Sequence, residues 1–339
     1  MNVPEMQDRL IFLIAPPRSG STLLQRMIGS HSEVFAPAEP HIVTPLAHLG
    51  YYHSVEKAPY DYINAGESLR GYVDALPGKE ADYLDACRAY TDVLYGRRAD
   101  KEGKRFLLEK TPAYALVLDF LAKLYPRAKY VVLTRHPLAV WSSFADSFFE
   151  GDYQAAHAHN RLLERYVPAI AAFLRDRPVP LVHVRYEQLV KDPETCLARV
   201  CEYLGVPFEQ GMIEYGKHEH DERGRGDPLG VARHDRPVTK SVKKWAHEMA
   251  TDPAKLAFAR RIVDSLDEGD LATWGFSKAD LLAPVDAVDV TAKVEKPKMN
   301  RFRVERLVVK TFRKRGRGGG LIRRLVERLR FYCDILLRE

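Results

Sequence analysis

The sequence predicts an α/β fold, a parallel β-sheet flanked by helices and followed by a helical, basic C-terminal tail. Three observations carry the prediction. Short runs rich in β-branched and aromatic residues alternate with longer amphipathic segments, the pattern of a parallel sheet covered on both faces. The first such run passes through a small-residue turn straight into a helix, the βα order in which ligands bind at strand carboxyl ends. Charge is also segregated: residues 293 to 339 hold 16 Lys plus Arg against 5 Asp plus Glu, a net of +11, whereas the rest of the 339-residue chain carries −5.

The first element is "LIFLIAPPRSGSTLLQRMIG", residues 10 to 29. Leu10 to Ile14 form a buried strand, Pro16 and Pro17 end it, and Leu23, Leu24, Met27 and Ile28 share one helical face. Strand, tight turn and helix N-terminus bring unpaired amides and the positive end of the helix dipole together, which makes an anion site. Ser19, Gly20, Ser21 and Thr22 supply a permissive backbone and hydroxyl donors, and Arg18 is the cation of the turn. Aligned with the Walker pattern on Gly20, the first glycine is Ala15 and the lysine is Ser21, so this is not a nucleoside-triphosphate loop. No following strand ends in a magnesium-binding aspartate, because the candidates end in "LLEKTP" and "VVLTRHP". Taken alone, the turn also reads as an ordinary strand-helix junction with a solvated arginine.

Further strands fall near 105 to 109, 129 to 134 and 181 to 185. Helical patterns fall near 67 to 98, 113 to 125, 137 to 148, 154 to 175, 193 to 204 and 253 to 266. The segment "KYVVLTRHPLAVWSSF" repeats the strand-to-helix design. Arg135 stands at the strand exit, Pro137 in the first helical turn and Ser143 about two turns in. An arginine fork with a hydroxyl can hold a second phosphate away from the first. Seen alone, the same pair reads as a sheet-capping arginine and a solvated serine.

Composition excludes other classes. With 46% hydrophobic and 29% charged residues the chain is globular, and a mildly acidic body with a basic appendage is unlike a nucleic-acid binder, so no specific nucleic-acid partner is expected. Cys87, Cys196, Cys201 and Cys333 have no metal or disulfide spacing, and no metal is expected. The first strand begins too near the N-terminus for a signal peptide, and no apolar run reaches about eighteen residues, so the expected location is the cytoplasm.

Together these segments resemble the sulfotransferases that use 3′-phosphoadenosine 5′-phosphosulfate, in particular the branch of bacterial sulfotransferases and tyrosylprotein enzymes. "PRSGSTLL" is similar to that family's 5′-phosphosulfate loop and "TRHPLAVWSS" to its 3′-phosphate element. "VRYEQLVKDPETCLARVCEYLGVPFE" is similar to a third segment, which brings Tyr186 in as a donor contact, and "SVKKW" to the strip that closes over the nucleotide. The resemblance spans roughly residues 9 to 250 and implies a P-loop-like nucleotide-binding sulfotransferase fold. With the charge and periodicity of the tail, which the resemblance does not reach, the chain divides into 1–285 (sulfotransferase domain), 286–300 (linker) and 301–339 (basic amphipathic helical extension).

The implied chemistry moves a sulfuryl group from the donor to an acceptor hydroxyl without metal. Donor contacts are Arg18, Ser19, Gly20, Ser21, Thr22, Arg135, Ser143, Tyr186, Arg233 and Lys244. Arg18 meets charge at the bridging oxygen and Lys110 at the sulfuryl oxygens. Glu39 occupies the loop of the branch's catalytic glutamate, and His41 is the competing base. Residues 215 to 240 read as a long loop over the site, and 40 to 105 as the wall of the acceptor pocket. A small-molecule kinase of the same fold and a catalytically inactive nucleotide-binding adaptor are the rival readings. In the tail, Leu321, Ile322, Leu325, Val326, Leu329, Tyr332, Cys333, Leu336 and Leu337 recur at helical spacing among arginines. That stripe suits packing on the domain, a second copy in a homodimer, or an anionic membrane surface that would hold the protein peripherally on the inner face. The acceptor is a small-molecule, lipid or carrier-bound hydroxyl.

Overall fold

The computed structural model describes residues 5–52, 62–149, 151–218, 220, 234–239 and 244–288, with backbone only for 62–64 and 244. The described residues belong to one unit that runs to Val288. The tail expected to form a helix, with Cys333, lies outside them, as does Arg233. Among the described residues no helix is long and apolar enough to cross a membrane.

The chain opens with α1 (Met6–Arg9), β1 (Leu10–Ile14), α2 (Ser21–Gly29), β2 (Val34–Phe35), α3 (Val43–Ala47), α4 (Tyr62–Asp74) and α5 (Glu80–Glu102). Next come β3 (Phe106–Glu109), a 3₁₀ turn at Pro112–Leu116, α6 (Leu118–Leu124), β4 (Lys129–Thr134), α7 (Pro137–Phe148), α8 (Tyr153–His159) and α9 (Leu162–Asp176). They are followed by β5 (Leu181–Arg185), α10 (Tyr186–Lys191), α11 (Pro193–Leu204), α12 (Lys244–Ala250), α13 (Pro253–Ser265), α14 (Glu268–Trp274) and α15 (Lys278–Asp286).

The strands form one parallel sheet in the order β2-β3-β1-β4-β5. From β1 the chain goes to one side for β2 and β3, then crosses to the other for β4 and β5. The reversal therefore sits at β1, where open α/β sheets bind ligands beyond the strand carboxyl ends. Alternate residues of β1 point to opposite faces: Leu10, Phe12 and Ile14 enter one core with α5, α6, α7 and α9 residues, and Ile11 and Leu13 enter the other with α2, α10 and α11 residues. Burial on both faces is why β1 reads as a continuous apolar run rather than an alternating one.

Four expectations change in detail. The helix expected over 67 to 98 is two, because Pro77 and Gly78 break it between α4 and α5. The pattern over 154 to 175 is also two helices, since Asn160 is extended and ends α8. The pattern over 113 to 125 splits into the 3₁₀ turn and α6, with Val117 as their junction. The strand β2, only two residues long, gave no periodic signal, and α1, α3, α10, α12, α14 and α15 are additional to the expected helices.

Candidate active site

The turn after β1 is built to receive an anion. Gly20, the N-cap of α2, has φ of +94°, a left-handed conformation that suits glycine, and α2 carries neither a side-chain cap nor an acidic residue in its first turn. The leading amides thus have no acceptor within the helix. Gly20 also lacks a Cβ for a second reason: one placed there would land on the Tyr186 ring, which α10 delivers from the end of β5. Ser19 is fully buried, and among the described residues its Oγ has no hydrogen-bond partner. Ser21 is buried and Thr22 half-buried. Arg18 has φ of +67°, strain of a kind that persists where surrounding structure enforces it.

Arg135 reaches the same turn from the end of β4. Its Nη1 donates to the Arg18 carbonyl at 3.1 Å, and its guanidinium lies 4.3 Å from the centroid of the Tyr186 ring. Burial holds the Arg135 pKa below its ordinary value, with Arg18 adding to that and Tyr186 and Glu187 opposing it. Arg18 Nε donates to Ser143 Oγ, two turns into α7, at 3.4 Å. Arg18, Arg135, Ser143, Tyr186 and Gly20, read from three separate segments of sequence, therefore meet at one place. Two guanidiniums, open amides and a buried free hydroxyl form a donor set that fits a ligand bearing more than one phosphate-like group. Lys244 opens α12, and its side chain lies outside the described residues.

The neighbouring strand end supplies the basic group. Lys110 follows β3, which pairs directly with β1, and its side chain is 1% exposed rather than solvated at the surface. Its Nζ donates to Glu39 Oε1. The other Glu39 oxygen lies 3.7 Å from His41 Nε2, with the Glu39 side chain 13% exposed and that of His41 52% exposed. Glu39 is held from the α2 side, where Gln25 Nε2 donates to the Pro37 carbonyl at 2.6 Å. Gly29 lets this loop approach, since a Cβ there would sit 2.7 Å from the Ala36 Cβ. His41, with φ of +54°, is a second strained residue at the site.

Other histidines near the cradle are committed elsewhere. His136 packs its ring 4.4 Å from Trp245 and 5.1 Å from Phe276, and burial pushes its pKa down to about 4. His31 Nδ1 accepts from the Glu33 amide at 3.0 Å and its Nε2 lies 2.8 Å from the Pro207 carbonyl, a structural clasp. Three groups at the site escaped the sequence reading. Glu187 Oε1 accepts from the His136 amide at 2.8 Å and so fastens the start of α7. Burial pushes the Tyr166 hydroxyl of α9 up to about 12, and the charge of Glu39 adds to the rise. Glu109, next to Lys110, is fully buried; its one sequence signal was a carboxylate closing an otherwise apolar run.

A parallel sheet with a glycine-hinged turn at the carboxyl ends of β1 and β4 defines a P-loop-like fold, an arrangement that suits phosphate groups. Within that class the chain belongs to the sulfotransferase family, whose sequence profile matches residues 10–210. The nodulation protein NoeE of Sinorhizobium fredii (strain NBRC 101917 / NGR234) is 28% identical over 265 residues, covering 72% of this chain and 61% of NoeE. The chain thus spans about three fifths of that relative's length. Protein-tyrosine sulfotransferase 1 of Danio rerio is 24% identical over 260 residues, covering 72% of this chain and 67% of the relative. Among solved structures, the sulfotransferase domain of the Synechococcus PCC 7002 olefin synthase superposes with a TM-score of 0.49 at 27% identity, covering 70% of this chain and 86% of that domain.

Proposed function

We propose that the protein transfers a sulfuryl group from 3′-phosphoadenosine 5′-phosphosulfate to an acceptor hydroxyl, with Glu39 as general base. The observation that carries this reading is the pairing of Glu39 with Lys110 at the end of β3, beside the Arg18–Arg135 cradle at the ends of β1 and β4. When bound, the donor supplies the sulfuryl group and leaves as adenosine 3′,5′-bisphosphate. Gly20, Ser21 and Thr22 present amides and hydroxyls to the 5′ side; Arg135, with Tyr186 beneath it and Ser143 nearby, serves the 3′-phosphate. Arg233 and Lys244 are further proposed phosphate contacts. Glu39 takes the hydroxyl proton while the acceptor oxygen bonds to sulfur. As the bond from sulfur to the leaving phosphate breaks, Arg18 meets the charge left behind, and Lys110 lends its charge to the sulfuryl oxygens.

Between the two candidate bases the geometry favours Glu39. It is the group enclosed and held by its neighbours, whereas His41 stands half in solvent. A kinase reading is not favoured, because Ser21 stands where a nucleoside-triphosphate loop needs lysine. The acceptor is a hydroxyl of a small molecule, lipid or carrier-bound chain.

Thermal melting and labelled transfer test the proposal. Adenosine 3′,5′-bisphosphate without metal is expected to raise the melting temperature by mass action, well above any rise from ATP with magnesium. Equal stabilisation by ATP, dependent on magnesium, would overturn the donor assignment. With ³⁵S-labelled donor and a panel of phenols, sugars and hydroxyacyl compounds, Glu39→Gln is expected to lower turnover roughly 10²-fold with donor affinity nearly intact. Full activity in Glu39→Gln together with loss in His41→Ala would make His41 the base.

A further inference from the structure

Glu109 poses a problem that packing does not solve. It closes β3, has no exposed surface, and its hydrogen-bond partners Tyr95 and Tyr114 belong to the same apolar core as Leu107. A carboxyl buried there is costly unless it is fully hydrogen-bonded. Among the described residues its partners are hydroxyls and an amide, with no cation paired to it. The Tyr114 hydroxyl of the 3₁₀ turn donates to one oxygen, the Tyr95 hydroxyl of α5 is hydrogen-bonded to the other, and the Ile42 amide donates as well. The Tyr114 hydroxyl in turn accepts from the Val43 amide at 2.8 Å.

The two amides held this way belong to the start of α3, whose N-cap is Ile42 and which has no side-chain cap of its own. They are the orphan donors of a helix N-terminus, and they lie directly after the strained His41 and close behind Glu39. On the other flank, Gln25 grips Pro37. The stretch carrying Glu39 is therefore suspended between two anchors, and one of them is the residue that precedes Lys110 in the chain. Adjacent residues at a strand end point to opposite sides, so a single piece of backbone sends Lys110 to Glu39 and Glu109 to the root of the Glu39 loop.

We infer that Glu109 is a positioning residue: with Tyr114 it clamps the Ile42–Val43 backbone, and through that clamp it sets where the Glu39 carboxylate stands relative to Lys110. The inference rests on the reading of Glu39 as base. Its chemistry is positional, with no bond made or broken by Glu109 itself. Misplacement of a general base by a fraction of a bond length lowers turnover while leaving a separately built donor cradle intact.

The test is a double-mutant cycle on the full-length protein, read as transfer of ³⁵S from labelled donor to phenol, an acceptor that is un-ionised at neutral pH, or to water. Bisphosphate affinity and melting are measured in parallel. Tyr114→Phe, which removes only a hydroxyl, and Glu109→Gln, which keeps shape, are each expected to lower turnover about 10- to 100-fold, with bisphosphate affinity changed less than about two-fold. Amide hydrogen exchange at Ile42 and Val43 is expected to quicken in both. In a Glu39→Gln background, Tyr114→Phe is expected to cost no further turnover, because the group it positions has already lost its function. If the losses multiply instead, the tyrosine acts elsewhere and the clamp is overturned while the base survives. If Glu39→Gln alone keeps full turnover, the base reading falls, and the clamp falls with it. Should Glu109→Gln not fold, Tyr114→Phe carries the same test.

Discussion

Arg135 shows how much one residue can do at a strand exit. It is a cation 8% exposed to solvent, stacked on Tyr186 and tied to the Arg18 carbonyl. Burial lowers the pKa of the guanidinium, with Glu187 and Tyr186 opposing the shift, and a phosphate would add a further, directly hydrogen-bonded anion. Arg135→Ala is therefore expected to weaken adenosine 3′,5′-bisphosphate about 10- to 100-fold by calorimetry, the scale of one hydrogen bond to a charged group. An unchanged dissociation constant would place the 3′-phosphate elsewhere. Arg135 was legible in the sequence because an arginine directly after an apolar strand and before a helix-initiating proline has few other positions to take. The pairing of Lys110 with Glu39 was not, since they lie far apart in sequence and nothing local ties them. Nor was Glu109 with Tyr95 and Tyr114: a buried hydrogen-bonded carboxyl looks in sequence like any strand-end glutamate. Ser143 was found for one purpose and appears with another partner, the Arg18 guanidinium.

Among the elements, α2 and the turn that feeds it decide whether the site exists. Gly20 must adopt a left-handed conformation and must leave room for the Tyr186 ring. Alanine fails on both counts, with a backbone cost of about 1–2 kcal/mol before any clash. Gly20→Ala is accordingly expected to lower the melting temperature and also to weaken the bisphosphate, because relief of the clash shifts either the cradle or Tyr186. A variant that melts lower yet binds normally would mean that the turn's shape is not what holds the ligand. Elements buried on both faces, such as β1 and β4, were legible to the residue, since a continuous apolar run bounded by proline or charge has one reading. The errors fell on elements defined by interruptions: the break between α8 and α9 is two residues, too brief to disturb a periodic pattern, whereas the five residues between α4 and α5 carry a Pro77–Gly78 signal that periodicity alone passes over. The short β2 is a strand only because β3 offers it an edge to pair with.

For the molecule as a whole, net charge and buried titratable groups predict how it behaves in solution. The tail's +11 against −5 elsewhere predicts that the intact protein cosediments with anionic vesicles more than a chain ending near Lys293, and that salt weakens this. Equal sedimentation by both chains would remove the tail from that role. Stability against pH follows from three buried groups. His136 and His183 are pushed down to about 4, chiefly by burial. Between pH 6.5 and 4 the unfolded chain takes up protons that the folded one refuses, so their contribution is present above 6.5 and is lost as pH falls. Glu109 is pushed up to about 8 by burial, against the hydrogen bonds it accepts from Tyr114 and Ile42. Its folded form keeps a proton that the unfolded form releases near pH 4.5, so its contribution is present below 4.5 and is lost as pH rises through 8. Each group can impose a slope of at most about 1.4 kcal/mol per pH unit. From pH 4.5 to 6.5 the two histidines outweigh the one carboxyl and stability rises; from 6.5 to 8 the carboxyl acts alone and stability falls. Urea midpoints measured from pH 5 to 9 are thus expected to peak near 6.5. Glu109→Gln, which cannot release a proton, is expected to abolish the decline toward pH 8 and to leave the acid limb in place. A Gln variant whose midpoints fall in parallel with the wild type would show that the alkaline limb belongs to another group.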